Sequence, residues 1–256
     1  MQSPLRKGRI ILLKKFLSAV LSAAAAVTLL CVFASAENKT MVLEDAYVRI
    51  ENNIGWNCLT RDDMPSEALS AAGYSVDSFK IFAEKNNYYM YCFNSNKSNI
   101  ITVKCFSDSK SEEIFSMNDA TYQQQQDLIA DLSGCGVIPS DSQILSSNEK
   151  FKLNDQALVY VINYSYPSGK KNDYGCAYFT VQNGSYISID LVSKGKEIEK
   201  STLAKFKNMI NTVAFTRIDE KPLFTKEQLL IGAGGLIIVL FLIFIISAGK
   251  KRKKGI

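Results

Sequence analysis

The stretch Gln156–Ser193, QALVYVINYSYPSGKKNDYGCAYFTVQNGSYISIDLVS, decides the fold. It holds three apolar runs, Gln156–Tyr166, Tyr174–Gln182 and Tyr186–Ser193, rich in Val, Ile, Tyr and Phe. Those side chains suit a pleated, half-buried surface. Only turn chemistry separates the runs: Pro167-Ser168-Gly169 and then Asn183-Gly184. An Asn-Gly pair tolerates the two positive-φ positions that a tight hairpin turn requires. Parallel neighbours would need a crossover, usually helical, between one strand and the next. No segment of the stretch supplies one, so it predicts consecutive antiparallel strands.

Outward from this stretch, Ser142–Ser147 reads as another strand. Tyr88–Phe93 and Ile100–Phe106 read as a hairpin around Asn94–Asn99, and Tyr47–Ile50 and Trp56–Thr60 as strands that open the domain. Pro65 reads as the first residue of a short helix that Gly73 stops. Ser75 caps a second helix, with Val76, Phe79, Phe82 and Ala83 on one face. A third helix starts at Asn118 or Asp119, turns Tyr122, Ile129 and Leu132 inward, and ends at Gly134 and Gly136. The run Gln123–Gln126 reads as its solvated face. A last amphipathic helix covers Glu197–Asn211, with Leu203, Phe206, Met209, Ile210 and then Val213 at core spacing. Ala214-Phe215-Thr216 adds an edge strand. The pattern is α+β: a mainly antiparallel sheet flanked by helices.

The two ends of the chain read as membrane signals. Leu229–Ala248 runs 20 residues without a charge, and Leu236 and Phe241 belong to it. At ~1.5 Å rise per residue that length spans a hydrocarbon core of ~30 Å. Lys250, Lys251, Arg252, Lys253 and Lys254 follow, and basic residues beyond a span hold that end in the cytoplasm. At the other end Arg6, Lys7, Arg9, Lys14 and Lys15 precede the apolar run Phe16–Phe33. Ala34 and Ala36 then form an A-x-A cleavage site, with an uncleaved signal anchor as the alternative. A lipid-attachment reading of Cys31 fails on the bulky Leu29 and Leu30. The expected organisation is a signal peptide over 1–36, an extracytoplasmic domain over 37–218, a linker over 219–228, a transmembrane helix over 229–248 and a cytoplasmic tail over 249–256. Fully extended, the linker region reaches at most ~40 Å, which keeps the domain close to the bilayer.

Charge follows this division. The chain carries +5 overall, but residues 1–36 and 249–256 hold five basic residues each and no acid. Residues 37–248 hold 20 basic residues against 25 acidic ones, a net of −5. The basic balance therefore reports topology, and the acidic body disfavours a nucleic-acid partner.

The chain has no histidine, which removes Ser-His-Asp and Cys-His catalysis and the commonest metal ligand. The S-x-x-K strings at Ser107, Ser147, Ser168 and Ser193 lack the accompanying K-T-G and read as chance. Asp62-Asp63 and Glu112-Glu113 do not follow a calcium-loop pattern. Gly232, Gly234 and Gly235 do not make G-x-x-x-G, and the four N-x-S/T sequons read as incidental. Five cysteines follow the signal: Cys58, Cys92, Cys105, Cys135 and Cys176. An odd count without C-x-x-C predicts buried small hydrophobes and not a disulfide framework. If Phe93 opposes Ile100 in the hairpin, the Cys92 and Cys105 sulfurs lie roughly 13 Å apart, beyond bridging reach. The tyrosines concentrated in the strands read chiefly as core. No cofactor or metal site is expected.

The run Gly55-Trp56-Asn57-Cys58-Leu59-Thr60-Arg61-Asp62 resembles the opening of uncharacterised membrane-anchored surface proteins of Gram-positive bacteria, and so does Phe79–Tyr88. Their domain is similar to the PsbP/Mog1 type, an antiparallel sheet between helices. It often closes on a helix and a short "Sf.f" segment, here Asn211–Thr216. The resemblance transfers no catalytic residue. It implies a non-catalytic module that binds an envelope or membrane protein, or a ligand, near the lipid bilayer. The alternative is a cell-envelope hydrolase with a Ser/Lys or carboxylate site. A deep pocket joining buried Lys or carboxylates would favour that alternative.

Overall fold

The computed structural model describes residues 39–154 and 156–221. Within them, two antiparallel sheets and five α-helices make an α+β fold. The three apolar runs become β7 (Ala157–Ser168), β8 (Lys171–Gln182) and β9 (Ser185–Ser193), each antiparallel to the next. Asn183 and Gly184 turn the chain at φ 54° and 74°, and Gln182 faces Ser185. The other turn is tighter than the sequence predicts. Pro167 and Ser168 stay in β7 opposite Asn172 and Lys171, so Gly169-Lys170 alone makes the turn. Proline is tolerated there because the pairing of β6 (Gln143–Leu153) begins only at Ser165, leaving β7 a single neighbour beyond it.

β4 (Tyr88–Phe93) and β5 (Asn99–Phe106) form the expected hairpin, with Phe93 opposite Ile100 and Cys92 opposite Ile101. With β3 (Asn57–Thr60) they complete a seven-stranded sheet in the order β3-β4-β5-β9-β8-β7-β6. The second sheet joins β1 (Lys39–Leu43), β2 (Val48–Asn52) and β10 (Ala214–Phe215) in the order β1-β2-β10. The predicted edge strand is therefore real, but it serves a separate sheet. β1 was not among the predicted strands; its Met41 and Leu43 alternate inward beside β2.

The helices are α1 (Ser66–Ala72), α2 (Val76–Lys85), α3 (Ser109–Ile114), α4 (Tyr122–Ala130) and α5 (Lys200–Ile210). Gly73, at φ 86°, closes α1 as predicted, but Pro65 is its cap and not its first residue. Ser75 caps α2 and exchanges hydrogen bonds with Ser78; Phe79 and Ala83 are buried, whereas Val76 is 45% exposed. α3 was not predicted. α4 starts later than expected because Thr121 and Gln124 form its capping box. That start leaves Tyr122 exposed and turns Gln125 and Leu128 inward. Gln125 is thus not solvated: its amide donates to Ala120 O, and its oxygen accepts from the Tyr160 hydroxyl.

The seven-stranded sheet is covered on both faces. One face carries Ile101, Val103, Cys176, Ile187, Ile189 and Leu191, packed with the small sheet and with Phe206, Met209 and Ile210 of α5. On the other face α1 and α2 cover the β3–β4 end through Leu69, Phe79 and Phe93. There α3, α4 and the chain after them cover β7, β8 and β9 through Ile114, Leu128, Leu132 and Phe179. Most of the strand tyrosines sit in or against these clusters.

The cysteine expectation needs one correction. Cys58 and Cys92 face each other in the β3–β4 ladder and form a disulfide. The pairing depends on β3 lying beside β4, a contact between segments far apart in the chain. Cys105 and Cys176 are buried outside the bridge, and Cys135 is part-exposed.

The compact unit that carries every described strand and helix ends at Ile218. Among the described residues, no helix is long and apolar enough to cross a membrane. The predicted span 229–248 lies outside them.

Candidate functional site

A cleft of about 470 Å³ opens on the α2–α4 side of the seven-stranded sheet, within the ~300–1,000 Å³ range of small-molecule sites. Its floor is Lys104 and Phe106 of β5. One wall is the α2–β4 corner, Asn86 to Tyr88, and the other is the chain from Ser133 to Ser140 that follows α4. Sheet register brings the floor together. Lys104 opposes Tyr88 on one side and Ser188 on the other, and the neighbouring Thr102 opposes Asp190. The β4–β5 register slips between Tyr88 and Met90, and this bulge sets Tyr88 opposite Lys104.

Lys104 donates to Val137 O at 3.0 Å and lies 3.5 Å from Asp190 Oδ2. Ser188 Oγ donates to the same carboxylate oxygen at 3.0 Å. The Lys104 side chain is 14% exposed and that of Asp190 1%, so Lys104 is the member of the pair that lines the cleft. Burial lifts the Asp190 carboxyl above its usual range, although Lys104 and Ser188 pull the other way. The cost of burial falls on the charged form of Asp190. Asp190 Oδ1 is buried without a hydrogen-bond partner among the described residues. Burial, and then the Asp190 charge, push the Tyr88 and Tyr164 hydroxyls up, so both stay neutral. Burial also pushes the Cys135 thiol up, and Cys135 Sγ donates to Leu132 O at 3.5 Å.

Chemically, the cleft offers donors: an ammonium, a neutral phenol, and the amides and hydroxyls of Asn86, Asn87, Ser133 and Ser140. Among the described residues, no three His, Cys, Asp or Glu side chains converge as a metal site.

The site residues expected from sequence lie elsewhere. Ala34 and Ala36, Leu229, Leu236, Phe241 and Ala248, and Lys250 to Lys254 are all outside the described residues. Sequence reasoning missed Lys104 and Asp190. A signal for both was present: each is the lone charge in its strand, and the two charges are opposite. Lys and Asp are rarely buried unless paired.

No protein-family model matches the chain, and no curated protein matches it. A crystal structure from Bacteroides thetaiotaomicron shares 7% identity at a TM-score of 0.36, over 72% of this chain and 50% of that one. The chain thus spans half of that structure's length. A Pseudomonas aeruginosa protein of unknown function shares 8% identity at a TM-score of 0.30, over 72% of this chain and 97% of its own.

Proposed function

We propose that this chain is a non-catalytic, membrane-anchored extracytoplasmic module that binds an envelope protein or ligand close to the bilayer. In this reading residues 1–36 are a removed signal, 37–218 lie outside, 229–248 span the membrane and 249–256 face the cytoplasm. The observation that carries the binding reading is a cleft that offers hydrogen-bond donors without a nucleophile and base to act together. The Lys104 ammonium is already engaged by Val137 O and Asp190. The Ser188 hydroxyl is fully buried and donates to Asp190, and Cys135 remains a protonated thiol. Such groups hold a ligand and supply little chemistry. The PsbP/Mog1-like resemblance points the same way.

The test is photocrosslinking in native membranes from Asn87, an exposed residue on the rim of the cleft. One reproducible adduct is expected, and it should vanish when Ser133→Tyr fills the cleft. Absence of any adduct, together with cleavage of an envelope substrate by the purified full chain, overturns the reading.

One observation favours a hydrolase as the second reading: an ion pair of Lys104 with a buried Asp190 lies at the base of a cleft. Asp190→Asn separates the two readings. A carboxylate enzyme would lose turnover with this variant, while the binding module keeps its adduct.

A further inference from the structure

Resting on the binding reading above, we infer that the cleft receives a small ligand with one carboxylate on an apolar body, the carboxylate seated on Lys104. The charge pattern disfavours a cation and a doubly charged oxyanion in turn. Lys104 is the one charged residue among those lining the cleft, and no acidic side chain joins it there. A cationic ligand would meet only like charge. An ammonium has three N–H donors and no acceptor. Val137 O and Asp190 engage two, so one remains for the cleft that Lys104 lines. The bond to Asp190 is slack: 3.5 Å, against about 2.7–2.9 Å for a good charge-assisted contact. The ammonium is therefore not saturated by its buried partner and can share itself with a second carboxylate.

A doubly charged oxyanion such as phosphate fits less well. Its recognition usually recruits arginine forks or several cations, and the lining has one lysine and no arginine. The rest of the cleft sets the ligand's other end. Phe106 and Pro139 give it apolar surface, and Tyr88 beside Lys104 adds a neutral phenol to the lining.

The test uses the full chain in detergent micelles and reads the alkylation rate of Cys135 by peptide mass spectrometry. Cys135 lines the cleft and is part-exposed, whereas Cys105 and Cys176 are buried and Cys58 and Cys92 are bridged. The probes are phenylacetate, 3-phenylpropionate and hexanoate, each beside its primary amide and the matching amine. At saturating concentration the acids should slow alkylation about fivefold or more, and the amides and amines less than about twofold. Replacing the pair by apolar groups, Lys104→Met with Asp190→Leu, should abolish protection by the acids. Should that variant fail to fold, Ser133→Tyr, which fills the cleft and leaves the pair intact, should abolish it equally. If amides or amines protect as well as acids, the carboxylate assignment falls while the cleft remains a binding site. If no probe protects, the inference fails and the binding reading loses its site. Protection that survives both variants also overturns the inference.

Discussion

Asp190 is the residue on which the chemistry of the sheet face turns. Its carboxyl sits above the ordinary value of 3.8 because burial outweighs Lys104 and Ser188. Between 3.8 and that raised value, the folded chain keeps a proton that the unfolded chain has released. The group's contribution to stability is therefore full below 3.8 and declines as pH rises through its folded pKa. Asp190→Asn lacks this dependence. The stability of the natural chain relative to the variant should thus fall from acid to neutral pH, as read from urea unfolding across a pH series. A gap that grows with pH instead would mean that Lys104 outweighs burial. A second residue-scale prediction concerns Gly175, which faces Tyr164 across the β7–β8 ladder. A Cβ built on Gly175 would overlap the buried Tyr164 ring, so the ring covers the glycine where no side chain fits. Gly175→Ala should cost about 1–3 kcal/mol by overpacking. Adding Tyr164→Leu should recover part of that loss in a double-mutant cycle, and strict additivity of the two changes would contradict the contact.

At the scale of elements, the short edge strand β3 is tied to β4 by the Cys58–Cys92 bridge across 34 residues of chain. Closing such a loop in the unfolded state is worth roughly 2–4 kcal/mol. The variant Cys58→Ala with Cys92→Ala should lose about that much. Reductant should destabilise the natural chain and leave the variant unchanged; equal behaviour of the two under reductant would remove the bridge from the account. The Asn183-Gly184 turn docks on α3 in a similarly specific way. Ser111 Oγ donates to Gly184 O at 2.8 Å, and Gly184 N donates to Phe115 O at 2.8 Å. Ser111→Ala leaves a buried carbonyl without its partner and should cost about 1–3 kcal/mol by thermal or urea melts. Legibility differs between these two elements. The turn is readable because Asn-Gly is a local signal, whereas α3 was missed because its Asp108–Ser111 capping box begins only six residues of helix.

For the whole molecule, the proposed topology makes its own prediction. Protease added to intact wall-less cells should remove residues 37–218 and spare a C-terminal fragment containing Lys250 to Lys254. Protection of the domain would overturn the proposal, since the opposite orientation contradicts the bias of basic residues toward the cytoplasm. The layered body shows why the cleft lies where it does. The α1–α2 pair and the α3–α4 segment cover opposite ends of one sheet face, and the gap between them exposes β5 at Lys104.

The sequence by itself determined the antiparallel order of β7, β8 and β9, the β4–β5 hairpin, and the α+β class. Each depends on alternation and turns within a few residues, information that is local by nature. Only the tertiary structure decided the Cys58–Cys92 pairing, the burial of Gln125 and the meeting of Lys104 with Asp190. Those depend on which strands and helices become neighbours: β3 beside β4, α4 against β7, β5 beside β9. That choice is made by burying every apolar face at once, a global balance that no short segment encodes.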